Sequence, residues 1–113
     1  MADKEKMQKG TKEKISELQM LQQRLTMYGA QKQQFQIQMA EIENALEQVG
    51  KTKGAVYQQV GEILVEKNHD ELKKELGEKK EENELRIKTI EKQENKIKES
   101  ALALQKEIQG ELK

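Results

Sequence analysis

The single histidine of this 113-residue chain, His69, is the one side chain whose ordinary pKa lies near neutrality. A general base needs a positioned partner, and none is evident around it, so it reads as a solvated residue at a helix start. The run Glu81-Glu82-Asn83-Glu84 offers oxygen ligands. Its contiguous spacing suits a solvated helix face better than a calcium loop, which spaces its carboxylates around a tight turn. With no cysteine there is no disulfide, thiolate ligand or thiol nucleophile. No Gly-Lys-Ser/Thr phosphate cradle is present either. The chain is therefore expected to be no enzyme, to have no catalytic or metal-binding residues, to need no cofactor and to hydrolyse no ATP.

The chemistry that remains is contact. Between Gly54 and Asn68 lies the one β-rich stretch, with Val56, Tyr57, Val60, Ile63, Leu64 and Val65. Gly61-Glu62 at its centre suits a two-residue hairpin turn with glycine first. That turn pairs Val60 with Ile63, Gln58 with Val65 and Tyr57 with Glu66. Val56, Val60, Ile63 and Val65 then share one face, and Tyr57 and Leu64 the other. A lone two-stranded hairpin is marginal in water and exposes its edges. This hairpin is expected to pair with hairpins of other chains.

The flanking segments must position it. Leu18, Leu21, Leu25, Tyr28, Phe35, Met39, Ile42, Leu46 and Val49 recur at alternating steps of three and four, with Lys32 filling one slot. Leu76, Asn83, Ile87, Ile90, Ile97, Ala101, Leu104 and Ile108 do the same downstream, with Lys80 and Glu94 in the remaining slots. Such heptads specify helices with one apolar seam. Composition agrees: 34% hydrophobic, 37% charged, 3% aromatic and no proline. High charge with few aromatics also fits disorder, but a disordered chain would not keep this register. The chain is read as one unit, 1–113, mostly α. Helix 4–49 ends at Gly50, a linker covers 50–54, a hairpin 55–67, and a second helix 69–112 is capped by Asn68. Equal helices with a short connection fold back antiparallel. Matching the seams puts Leu46 opposite Leu76, Phe35 opposite Ile87, Leu25 opposite Ile97 and Leu18 opposite Leu104.

The ends distant from the hairpin carry Met1, Met7, Ile15, Met20, Leu102, Ile108 and Leu112. Ile15, Met20, Leu102 and Leu112 fall outside the seams. Gly10 and Gly110 are expected to loosen the last turns. Off-seam apolar residues with flexible methionines suit a surface that takes exposed apolar segments of other proteins. The 21 basic and 21 acidic residues are interleaved, which disfavours nucleic acid. No stretch approaches the ~18 apolar residues of a membrane span, and no signal-like run opens the chain, so a cytoplasmic location is expected. A structural or tethering coiled coil without client binding is the alternative, though a pure spacer has no use for a two-faced apolar hairpin.

Val56 to Val65, with Val-Tyr followed by Gly61, a spacer residue and the triplet Ile63-Leu64-Val65, resembles the hairpin motif of β-type prefoldin subunits. Thr89-Ile90-Glu91-Lys92-Gln93-Glu94 is similar to a segment of archaeal β subunits, and Leu18-Gln19-Met20-Leu21-Gln22-Gln23 to the family's glutamine-rich seam. The proline that many relatives carry before Val56 is missing. The resemblance implies a hexamer of two α-type and four β-type subunits whose hairpins join in a β-barrel. It implies a nucleotide-independent holdase that grips unfolded proteins at coiled-coil tips and passes them to a group II chaperonin. The assembly residues would be Val56, Tyr57, Val60, Gly61, Ile63, Leu64 and Val65. The client contacts would be Met7, Ile15, Met20, Leu104, Ile108 and Leu112.

Overall fold

The computed structural model describes residues 2–112, with side chains from residue 10 onward. Helix α1 spans Ala2–Lys51, strand β1 Val56–Val60, strand β2 Ile63–Lys67 and helix α2 His69–Leu112. With no proline to remove a backbone donor, α1 runs unbroken for 50 residues and α2 for 44. Gly10 and Gly110, expected to loosen the ends, both lie within helix. Helix α1 also passes through Gly50, its expected stop. The Thr52 backbone N–H closes the end by donating to the Gln48 and Val49 carbonyls at 3.1 and 3.3 Å, and its hydroxyl donates to Gln48 at 2.7 Å. A side-chain hydroxyl has replaced a left-handed glycine as the terminating device.

The chain falls into two compact units, one of Met1–Lys32 with Thr89–Lys113 and the other of Gln33–Lys88. In the first, the helix segments bury Ile90, Ile97 and Ile108 and half-bury Leu18, Leu21, Leu25, Tyr28, Ala101 and Leu104. The a/d spacing thus marks the inward faces correctly. One heptad beyond the expected Leu18–Leu104 pairing, the Thr11 hydroxyl donates to Glu111 Oε2 at 2.7 Å, which keeps the segments in that antiparallel register.

In the second unit, Val49 of α1, Val56 of β1 and Leu72 of α2 are buried together, and Leu76 packs against them. The Arg86 guanidinium lies 5.5 Å from the centroid of the Phe35 ring, next to the expected Phe35–Ile87 pairing. Strands β1 and β2 pair antiparallel, with Val60 opposite Ile63, Gln58 opposite Val65 and Tyr57 opposite Glu66, as the turn chemistry predicts. Gly61 carries the one positive φ among the described residues, 62°, at the first central position, where a type II′ turn requires it. Asn68 caps α2: its Oδ1 accepts from the backbone N–H groups of Asp70 at 2.9 Å and Glu71 at 3.3 Å. Asp70 and Glu71 also place negative charge at the positive end of the helix.

Candidate functional site

The hairpin rests on its helices only at its base. Val56 is 8% exposed, held between Val49 and Leu72, while Tyr57 is 58% and Leu64 67% exposed on the opposite face. On the Val56 face, Val60 and Ile63 near the turn are exposed too, and Val65 is partly so. This corrects the expectation for one residue. Val56 belongs to its own chain's core, because the base of the hairpin meets the helix ends. Tyr57, Val60, Ile63, Leu64 and Val65 remain available on two faces and, with Gly61 shaping the turn, form a continuous apolar blade. Both strands also keep a backbone edge free of any third strand among the described residues.

His69 departs from its expected solvated state. Its Nε2 lies in hydrogen-bond contact with the Val49 carbonyl, 2.5 Å away, and its Nδ1 is 3.7 Å from Asp70. Donation from Nε2 satisfies a carbonyl in the last turn of α1, so the ring clasps the end of one helix to the start of the next. Lys67 reaches Glu75 at 3.6 Å just above. Together these contacts hold the hairpin's base, which gives the blade a defined platform. Leu72 and His69 continue the α2 seam beyond Leu76, and the steps around Leu76 are both four. Such a stutter breaks the strict three-four alternation that marks the rest.

In the first unit, the proposed contact residues separate. Ile108 is 8% exposed and Leu104 half-buried, because both are seam residues that pack between the helices instead of presenting themselves. Ile15, Met20 and Leu112 are exposed, Leu112 most of all at 72%. Ile15 and Leu112 each follow a seam position by one residue, which sets them on one flank with Leu102. Met20 precedes a seam position by one and takes the other flank. Met7 lies outside the residues whose side chains are described.

A charged cluster ties the segments near Thr11. Lys14 pairs with Glu111 in a close contact and with Glu107 at 3.6 Å. The Lys14 hydrogen bond, followed by that of Thr11, holds the Glu111 carboxyl below its usual range, and the same bond to Glu111 raises the Lys14 ammonium. Deeper in, Lys32 Nζ donates to Glu94 Oε1 at 2.8 Å, and this bond raises the Lys32 ammonium. Lys32 is the one charge in the first seam and Glu94 one of two in the second; the fold brings this pair together. Among the described residues no cluster of His, Cys, Asp and Glu could hold a metal ion, and no helix is long and apolar enough to cross a membrane.

Residues 12–113 match the family model described as Prefoldin subunit. This chain belongs to the prefoldin family. It is 39% identical over 98 residues to the prefoldin subunit beta of Archaeoglobus fulgidus, covering 85% of this chain and 84% of that one. It is 34% identical over 100 residues to the prefoldin subunit beta of Methanospirillum hungatei, covering 87% and 83%. The crystal structure of the prefoldin beta subunit from a Thermococcus strain superposes with a TM-score of 0.84 at 31% identity, covering 89% of this chain and 90% of that one. Two long helices around a single hairpin are thus the prefoldin β fold. The blade and the flanks described above are features of a prefoldin subunit.

Proposed function

We propose that this chain is the β-type subunit of a cytoplasmic hetero-oligomeric holdase, joined through its hairpin to an α-type subunit and to further copies of itself. In the complex the hairpins close into a β-barrel and the helical ends hold unfolded proteins without nucleotide, for transfer to a group II chaperonin. The observation that supports this reading best is the blade: Tyr57, Val60, Ile63, Leu64 and Val65 are solvated on two faces of a hairpin too small to be stable alone. Pairing with other hairpins satisfies the free backbone edges and buries those side chains in one step. Exposed Ile15, Met20 and Leu112 on the first unit supply the client contacts. The purified chain, mixed with an α-type partner, is expected to slow aggregation of a chemically unfolded test protein in the absence of ATP. Aggregation unchanged at molar excess removes the holdase reading.

A further inference from the structure

The two flanks of the first unit differ in chemistry. The flank of Ile15, Leu102 and Leu112 mixes these exposed apolar residues with exposed Gln22, Lys98 and Gln105. On the other flank lies an open groove of about 410 Å³ lined by Glu17, Leu21, Ser100, Ala103, Leu104 and Glu107. Leu21 and Leu104 are seam residues left half-buried, so their outer sides form the floor. Glu17 and Glu107 form the rim, and no basic side chain lines it. The nearest cation on the seam, Lys14, is already committed, chiefly to Glu111 and at longer range to Glu107. Met20, three residues beyond Glu17, lies on the same flank but outside the Glu17 rim, so the floor is Leu21 and Leu104 alone.

The geometry points to a binding groove for unfolded segments in which apolar residues are flanked by lysine or arginine. This rests on the holdase reading and deepens it by naming the class of segment. Leucine-sized side chains enter over Leu21 and Leu104, where they leave water. Their basic neighbours then sit against the Glu17 and Glu107 carboxylates at the rim. An acidic neighbour would meet the Glu17 carboxylate and a Glu107 carboxylate that Lys14 neutralises only in part, so the groove discriminates by repulsion as well as attraction. Selection of this kind lets the groove take extended, newly unfolded segments and reject the acidic surfaces of folded proteins.

The test uses the full chain and short fluorescent peptides that share one leucine-rich core, flanked by lysines, by serines or by glutamates. Fluorescence anisotropy is expected to rank them lysine, serine, glutamate. Exposed charge pairs contribute little singly, but attraction for lysine turns to repulsion for glutamate, so the extremes should differ by roughly fivefold. The ranking should collapse to within about twofold in E17Q/E107Q. It should also collapse in wild type near 1 M salt, where the screening length is about 3 Å. Circular dichroism checks that the variant keeps its helicity, and E82Q, outside the groove, should retain the full ranking. Equal affinities for the three peptides would overturn the acidic-rim assignment while leaving the holdase reading in place. A ranking that survives in E17Q/E107Q would put the selectivity elsewhere. Binding of none of the peptides would overturn the groove, while the aggregation assay with the α-type partner decides the holdase reading separately.

Discussion

Lys32 and Glu94 occupy seam slots that apolar residues would fill without any desolvation cost. Glu94 is buried, so truncating Lys32 leaves a carboxylate with no counter-charge inside the seam. K32A is therefore expected to lower the Tm measured by circular dichroism, while K32L/E94L recovers or exceeds the wild-type value. A double variant less stable than K32A would show that the pair is worth more than an apolar contact. Glu111 gives a different signature. Its carboxyl titrates lower in the folded chain than in the unfolded one, so the folded state binds its proton less readily. That stability is present above the ordinary carboxylate range near 4.5 and is lost as pH falls through the depressed folded value. Lys14, raised above 10.5, contributes the mirror case, lost only as pH rises through its raised value. Between these limits the cluster adds no pH dependence. E111Q should flatten the acid limb of Tm against pH, and an unchanged acid limb would place the titration in other carboxylates.

Among the elements, the cap of α2 allows a direct measurement. Asn68 satisfies two of the N–H groups that a helix start leaves without partners, so N68A should cost about 1 kcal/mol in urea unfolding. A loss of a few tenths or less would mean that water replaces the amide without penalty. This cap, the hairpin register and both seams were legible from the chain because each follows from a local rule: an Asn before a helix, a Gly first in a two-residue turn, a three-four alternation of apolar residues. What stayed hidden depended on contacts between distant segments. Leu72 sits four residues before Leu76 and four more before Lys80, so a strict heptad passes over it; only the approach of Val49 and Val56 shows that it is core. His69 looks solvated by its neighbours in sequence, yet the end of α1 supplies a carbonyl for its ring. The client-contact candidates were the least legible. Apolar type alone does not tell a seam residue such as Ile108 from a flank residue such as Leu112, and it does not separate one flank from the other.

At the scale of the whole molecule, the balance of buried and unburied apolar surface determines how the chain should behave alone. Only six hydrophobic side chains are buried among the described residues, and none is wholly enclosed. At roughly 2 kcal/mol per fully buried aliphatic side chain, such a core leaves little margin against chain entropy. The blade holds a comparable set of apolar side chains still in water, so association through it should stabilise the fold as well as assemble it. The Tm is therefore expected to rise with protein concentration, as it does whenever a partner binds only the folded form. Substitutions should separate the two roles of the hairpin. I63E and L64E charge the exposed blade: mass by light scattering should fall to that of a single chain, and the concentration dependence of Tm should vanish, while helicity is largely kept. V56A empties a core position beneath the blade, so it should lower Tm at every concentration by the same amount, the loss of two methyl groups and the cavity they leave. If V56A dissolves the assembly at unchanged Tm, or if I63E and L64E leave the mass as it was, the division between a buried base and an associating blade does not hold.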